Sequence, residues 1–265
     1  MNYHKKNTKR LKKTRTRKNT KKKKKKEKQK KNNKEEAIHI RLALYVFDNR
    51  KKTDENIKKN KIYKFLYQIN GYYNLVDIND PILNGYIENE KLTNENYGIY
   101  VNKQSKHVVL SVRGTDIFES LKDVYYDFKI VFGSELETKY YKEAYNLLKK
   151  IIKKYKDYKI TLTGYSLGGR IVINLLDSNL GNHINKVYSF NPATFKEQIY
   201  QSNLCFIDDK ELMKCKNREK LNIYLVNGDI ISNFSMGEKA NKHVVFKKHK
   251  NALINHDSYT FYVNL

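Results

Sequence analysis

The sequence contains few cysteines, no tryptophan and no long apolar run. Its 265 residues include only Cys205 and Cys215, too few for a disulfide framework, and neither these cysteines nor the seven histidines show the spacing of a metal site. No stretch of 18 apolar residues occurs, so we expect no transmembrane helix. No apolar segment follows the N-terminal charges as it would in a secretory signal. We therefore expect an intracellular protein with reduced thiols.

Positive charge is concentrated at the start of the chain. The net charge is +26, and residues 1–36 hold 19 Lys and Arg against 3 Asp and Glu, a net +16. This segment has too little apolar surface to offset the entropy cost of ordering, so we predict a disordered tail over 1–36 and one folded domain over 37–265. Such a tail would suit a nuclear or nucleolar address, a nucleic-acid contact or an anionic membrane surface. A solvated arm without a specific role is the simpler interpretation.

Apolar periodicity predicts strands and helices that alternate along the chain. The predicted strands cover 97–101, 107–112, 160–163, 186–190, 221–226 and 243–246. The predicted helices cover 35–47, 62–69, 139–155, 171–181 and a C-terminal segment from about 255 to 265. This alternation predicts an α/β fold with a mostly parallel central sheet and helices on both faces. Ligands of such sheets bind beyond the carboxyl ends of the strands.

A G-x-S-x-G sequence joins one predicted strand to the helix that follows it. In this context Gly164-Tyr165-Ser166-Leu167-Gly168 predicts a nucleophile elbow, in which the serine occupies a sharp, strained turn. Side chains two residues before and after the serine would clash there, and glycine removes the clash. The turn would present the Ser166 hydroxyl at the carboxyl end of the strand, in front of a helix N-terminus.

An activated serine needs a base, and the base needs an acid that orients it. In α/β-hydrolases these residues follow the serine in the order acid, then histidine. Asp229 is the best candidate for the acid, because it comes directly after a predicted strand. The weaker candidates lie on the helix after the serine or in a polar connection, and they are Asp177, Asp208 and Asp209.

The base must follow the acid along the chain, which leaves three histidines. His256 lies in a loop after the last predicted strand and before a helix, so it is the preferred base. His243 is the second choice, although it begins a strand and would start at the wrong end of the sheet. His249 lies within a run of lysines that is typical of a solvated loop.

The oxyanion formed during acyl transfer needs two preorganised N–H donors. In a nucleophile elbow the residue after the serine supplies one of them, which here is Leu167. The second should come from the loop after an earlier central strand. Arg113-Gly114-Thr115 occupies that place, and the backbone N–H of Thr115 is the candidate donor.

Taken together, six segments of the chain resemble the class 3 lipase family of α/β-hydrolases. The resemblance covers residues 97–265, and its most specific part is the combination of R-G-T with G-Y-S-L-G-G. The segments are H-V-V-L-S-V-R-G-T-D, D-V-Y-Y-D-F, I-T-L-T-G-Y-S-L-G-G-R, V-Y-S-F-N-P, V-N-G-D-I-I-S and N-H-D-S-Y. Tyr165 stands where this family commonly has histidine, and Val124 where it usually has tryptophan.

The resemblance implies roles for five residues. Ser166 would be the nucleophile, Asp229 the acid and His256 the base, while Thr115 and Leu167 would form the oxyanion hole. Members of this family hydrolyse ester bonds of acylglycerols and phospholipids without a cofactor or metal.

Two functions follow from these observations. The first is a serine ester hydrolase whose substrate is a lipid ester and whose basic tail contacts an anionic membrane or a nucleic-acid-rich compartment. The alternative is a catalytically silent hydrolase fold that serves as a basic binding or scaffold protein for anionic membrane or nucleic acid.

Overall fold

The computed structural model describes residues 34–44, 81–83, 85–114, 139–193, 217–229, 232 and 240–247. Three α-helices lie within these residues: α1 (34–44), α2 (Lys139–Lys154) and α3 (Leu167–Asp177). The strands among them are β1 (Ile87–Glu88), β2 (Tyr97–Asn102), β3 (His107–Val112), β4 (Lys159–Tyr165), β5 (Lys186–Phe190), β6 (Leu221–Val226) and β7 (Lys242–Phe246). Short 3-10 turns occur at Pro81–Leu83, Gly181–His183 and Arg218–Lys220.

The seven strands form one sheet in the order β1-β2-β3-β4-β5-β6-β7. The pairs β1–β2 and β2–β3 are antiparallel, and all pairs from β3 to β7 are parallel. We call the side where the parallel strands begin the amino edge, and the side where they end the carboxyl edge. The six strands predicted from the sequence are present to within two residues at each end, and the predicted α/β fold with a mostly parallel central sheet is confirmed.

Helices cover both faces of the sheet, as the sequence predicts. The crossovers from β3 to β4 and from β4 to β5 move along the sheet in the same direction. Because parallel crossovers are right-handed, α2 and α3 pack on the same face. Helix α3 ends at Asp177, four residues before its predicted end, and the residues from Leu167 to Leu176 are all buried. Helix α2 buries one stripe, which consists of Tyr141, Ala144, Leu147, Leu148 and Ile151.

Helix α1 covers the opposite face and runs along the strands. At the amino edge, Lys186 Nζ contacts the Glu35 carboxylate at 2.8 and 2.9 Å, and Lys242 Nζ pairs with Glu36. Further along, the Thr163 hydroxyl donates to the His39 carbonyl at 3.0 Å. Near the carboxyl edge, the Ser111 hydroxyl donates to the Leu42 carbonyl of the helix at 3.1 Å. The buried side chains of α1 form a second core with aromatic residues of the sheet, which include Tyr100, Tyr165, Tyr188, Phe190 and Tyr224.

Helix α1 overlaps the predicted N-terminal tail. The composition of the chain places the end of the tail at residue 36, whereas residues 34–36 are helical. Residues 34–36 therefore belong to the fold, because the two glutamates gain ion pairs with lysines of β5 and β7. The predicted helix over 35–47 agrees with α1 up to residue 44.

Two histidines lie between α1 and the sheet, near its amino edge: His39 on the helix itself and His107 at the start of β3. The His39 ring is fully buried and stacks on Tyr188 with 4.2 Å between ring centroids, and within the described residues neither of its nitrogens has a hydrogen-bond partner. His107 places Nδ1 2.6 Å from the Tyr86 hydroxyl and Nε2 2.8 Å from the Thr161 hydroxyl. The two imidazole rings meet edge to face at 5.8 Å.

Burial governs the protonation of this pair. It lowers the pKa of His39 well below the usual range for histidine, and the charges of His107 and Lys186 act in the same direction. Burial also lowers the pKa of His107 to about 4, with Lys159 and Lys186 adding to the effect and Glu35 opposing it. Both rings are therefore neutral at neutral pH.

Several sequence predictions fall outside the described residues. They include the helix over 62–69, the segment 117–132, both cysteines, the C-terminal helix, and the residues Thr115, Asp208, Asp209, His249 and His256. No helix in the described part of the chain has the length and apolar character needed to cross a membrane.

Candidate active site

The backbone of Ser166 adopts a strained conformation between β4 and α3. Its φ of 55° and ψ of −121° lie in a region that side-chain-bearing residues rarely adopt, at a cost of about 1–3 kcal/mol. Hydrogen bonds from the exit of β5 hold it there. The Ser166 N–H donates to the Phe190 carbonyl at 3.0 Å, and the Ala193 N–H donates to the Ser166 carbonyl at 3.1 Å.

Two glycines allow the chain to make this turn. A Cβ atom at Gly164 would lie 2.4 Å from the carbonyl carbon and oxygen of Gly168. A Cβ atom at Gly168 would lie 2.0 Å from the Val112 carbonyl oxygen, at the end of β3. No side chain fits at either position. The contacts supply the steric reason that the G-x-S-x-G pattern suggests for both glycines.

The N-terminus of α3 faces the carboxyl edge beside the serine. The first intrahelical hydrogen bond runs from the Arg170 N–H to the Ser166 carbonyl at 3.1 Å. The N–H groups of Leu167, Gly168 and Gly169 therefore come before the helical hydrogen-bond ladder and carry the partial positive charge of the helix end. Such groups can stabilise a negative charge that develops next to the serine.

The chain leaves β3 directly over the elbow. A Cβ atom at Gly114 would lie 2.5 Å from the Tyr165 carbonyl oxygen and 3.2 Å from Ser166 Cβ. Only glycine permits this close approach. Thr115, the second candidate donor to an oxyanion, is the next residue along the chain and lies outside the described residues.

Asp229 lies at the same edge of the sheet, in a turn just beyond β6. The turn passes through Gly228, with φ of 80°, and the Asp229 N–H donates to the Val226 carbonyl at 3.1 Å. The residue is only 1% exposed. The Ser232 hydroxyl donates to Asp229 Oδ2 at 2.5 Å, which orients the carboxylate. The sequence argument missed Ser232, although a serine three residues after a buried aspartate is placed for this contact.

Asn191 joins the elbow to the turn that carries the acid. It follows β5 with φ of 41°, and its N–H donates to the Tyr224 carbonyl at 2.8 Å. Its side-chain oxygen accepts the Val226 N–H at 2.9 Å and lies 3.3 Å from the Ser232 hydroxyl. The exits of β5 and β6 are thus tied together by one buried side chain.

Two weaker candidates are placed away from this edge. The Asp177 carboxylate, at the end of α3, binds Arg218 through two hydrogen bonds of 3.0 and 2.5 Å, and Arg218 itself is buried. His243 is an exposed residue near the start of β7, opposite Ile223 and three residues before the end of the strand.

Of the site residues predicted from the sequence, the structure brings five together at the carboxyl edge: Gly164, Ser166, Leu167, Gly168 and Asp229. Among the described residues there is no group of three or more His, Cys, Asp or Glu suited to a metal ion.

Comparisons with known proteins give one family match and several similar structures. The Mbeg1-like family model matches residues 85–264. The Lip2 lipase from Yarrowia lipolytica is 22% identical with a TM-score of 0.31, and the match covers 57% of this chain and 60% of the lipase. A triacylglycerol lipase from Penicillium expansum is 14% identical with a TM-score of 0.32, and the match covers 63% of this chain and 69% of that lipase.

A mutant form of MDLA from Penicillium cyclopium is also similar. It is 14% identical with a TM-score of 0.34, and the match covers 58% of this chain and 59% of that protein. The chain thus spans less than two thirds of the length of the MDLA mutant and of the Yarrowia lipase. No curated protein sequence matches the chain.

Proposed function

The chain belongs to the Mbeg1-like family, and from the geometry of its carboxyl edge we propose that it is a serine ester hydrolase acting on lipid esters. The observation that carries the proposal is the strained backbone of Ser166 at the junction of β4 and α3. Strained backbone of this kind persists only where surrounding contacts enforce it, and it clusters at active sites. Here it places a buried serine in front of a helix N-terminus, at the same edge as a buried aspartate.

The proposed reaction proceeds through an acyl-enzyme. The Ser166 hydroxyl attacks the carbonyl carbon of the ester while His256 takes its proton, and Asp229 stabilises the resulting imidazolium. The N–H groups of Leu167 and Thr115 bind the oxyanion. Collapse of the tetrahedral intermediate expels the alcohol, which takes the proton from His256. Water then attacks the acyl-enzyme by the same route and regenerates the serine. The roles of His256 and Thr115 come from the sequence argument.

The proposed substrate class is an acylglycerol or a phospholipid. It rests on the resemblance of the R-G-T and G-Y-S-L-G-G segments to class 3 lipases. The reaction needs no redox group and no transferred phosphoryl group, so we propose that it proceeds without a cofactor.

The test compares the full-length chain with Ser166→Ala. We expect the wild type to hydrolyse members of a panel of acylglycerols and phospholipids and to react covalently with a fluorophosphonate probe at Ser166. We expect the variant to lose both activities. Ser178→Ala is a matched control at the C-terminal cap of the same helix, where its hydroxyl bonds to the Leu175 carbonyl at the far end of α3. Ser178→Ala should retain both ester hydrolysis and reaction with the probe.

Two outcomes would count against the proposal. Full hydrolysis by Ser166→Ala would show that another group is the nucleophile. A folded wild type that neither reacts with the probe nor cleaves any ester of the panel would favour the alternative, a silent hydrolase fold that serves as a basic binding protein.

A further inference from the structure

Tyr140, in the first turn of α2, makes an unusual contact with the end of β3. Its hydroxyl donates to the Arg113 carbonyl at 2.5 Å and also lies 3.3 Å from the Asn96 carbonyl. The ring stacks on Tyr97 with 5.3 Å between centroids. The Tyr97 hydroxyl in turn donates to the backbone carbonyl of Tyr140 at 2.7 Å. The position of the Tyr140 side chain is therefore fixed from two sides.

This contact fixes a peptide plane that lies next to the elbow. The Arg113 N–H donates to the Asn96 carbonyl at 2.9 Å, so hydrogen bonds hold both backbone polar groups of Arg113. A peptide unit is planar, and orienting the Arg113 carbonyl therefore orients the N–H of Gly114. Gly114 is the residue that packs against Tyr165 and Ser166.

The hydroxyl of Tyr140 contributes something that its ring does not. Phenylalanine would keep the stacking on Tyr97, so the ring alone satisfies the packing of α2 on β2. The hydroxyl reaches instead to the strand exit on the carboxyl edge. Oxyanion donors must be held in place before the charge forms, and displacements of about 1 Å can lower rates by about 100-fold.

We propose that Tyr140 is a positioning residue for the ester hydrolysis at Ser166. It holds the exit of β3 on the elbow, so that the backbone there keeps its orientation toward the reacting ester. The inference rests on the proposed function for its effect on rate. Its effect on the strand exit can be measured without any activity.

The experiment compares Tyr140→Phe with the wild type and with Tyr145→Phe. Tyr145 lies on the same helix, and its hydroxyl bonds to the exposed Asn179 side chain at 2.7 Å, so this variant loses a hydroxyl without touching β3. Two readouts are taken on the full chain. They are kcat and KM for an ester that the wild type cleaves, and amide hydrogen exchange of the peptide that contains Val112 and Gly114.

We expect Tyr140→Phe to lower kcat roughly tenfold with KM within about twofold, and to speed exchange at the exit of β3. Tyr145→Phe should change neither quantity. Thermal unfolding of both variants checks that they fold, and exchange in β4 and β5 should stay at the wild-type rate. Wild-type exchange at the β3 exit in folded Tyr140→Phe would overturn the inference.

Failure of the proposed function and failure of the role of Tyr140 would give different results. A wild type without esterase activity would refute the proposed function, and the exchange readout would still decide whether Tyr140 holds the strand exit. If the wild type is active, an unchanged kcat in Tyr140→Phe would overturn the role in catalysis. A change in KM alone would do the same, because positioning of the backbone beside the reacting ester is expected to act on the transition state.

Discussion

Acidification should destabilise this fold through the two histidines between α1 and the sheet, His39 and His107. A histidine whose folded pKa is lowered binds fewer protons in the folded than in the unfolded chain. Stability is then fully present above the unfolded pKa of about 6.5 and is lost as the pH falls below it. For His107, whose folded pKa is about 4, the loss extends from pH 6.5 down to about 4. His39 adds a loss of the same sign.

The size of the effect follows from the two pKa values of His107. At pH 5.0 the unfolded imidazole is mostly protonated and the folded one is mostly neutral. With a folded pKa of about 4, linkage gives a loss of about 2 kcal/mol relative to pH 7.5. Burial of His39 increases the total beyond this value. A loss of this size is a large fraction of the 5–15 kcal/mol that is typical of domains.

The assay is urea unfolding of the full chain at pH 7.5 and pH 5.0. We expect the free energy of unfolding to fall by at least about 2 kcal/mol for the wild type. His107→Gln keeps polar atoms near Tyr86 and Thr161 but cannot titrate, so its loss should be smaller by about 2 kcal/mol. His243→Gln changes an exposed histidine and should behave like the wild type. Equal losses for the wild type and His107→Gln would refute the reasoning.

Two further predictions concern the carboxyl edge. Gly168→Ala would place a Cβ atom 2.0 Å from the Val112 carbonyl oxygen, and we expect thermal unfolding to show a destabilisation of about 3 kcal/mol or more. Gly169→Ala would place a Cβ atom 2.8 Å from the Ser189 side-chain oxygen and 3.2 Å from the carbonyl oxygens of Gly164 and Phe190, so it should cost less than Gly168→Ala, and equal costs would contradict this reasoning. Ser232→Ala removes the donor to Asp229 and should lower kcat about tenfold at unchanged KM. Ser232→Thr should restore the rate, and a wild-type kcat in the alanine variant would exclude this role.

The parts of the fold that the sequence predicts well have strong local signals. The β3 sequence is a short apolar run, and α2 shows helical periodicity over four turns. The turn around Ser166 needs glycines at fixed positions, so G-x-S-x-G in the right context is informative. Each of these features depends on residues that are close together in the chain.

The features that the sequence did not predict depend on distant contacts. Glu35 and Glu36 of α1 are held in the fold by ion pairs to Lys186 and Lys242, 151 and 206 residues further along the chain. The Tyr140 hydroxyl contacts the Arg113 carbonyl, which lies 27 residues earlier in the chain. Nothing in the sequence of its own helix distinguishes this hydroxyl from those of the other tyrosines. Ser232 is the exception, because its contact with Asp229 spans only three residues, but the contact gains significance only once Asp229 is known to be buried. The assignments of Thr115 and His256, and the partner of the basic tail, stay predictions.

The course of α1 along the sheet has a practical consequence for handling the protein. Glu35 anchors the helix at the amino edge, while Ser166 lies past the opposite ends of the strands, one strand length of roughly 20 Å away. Lys34, the neighbour of Glu35, is exposed. A label attached at position 34 would therefore lie far from the nucleophile and leave the carboxyl edge open to an added substrate.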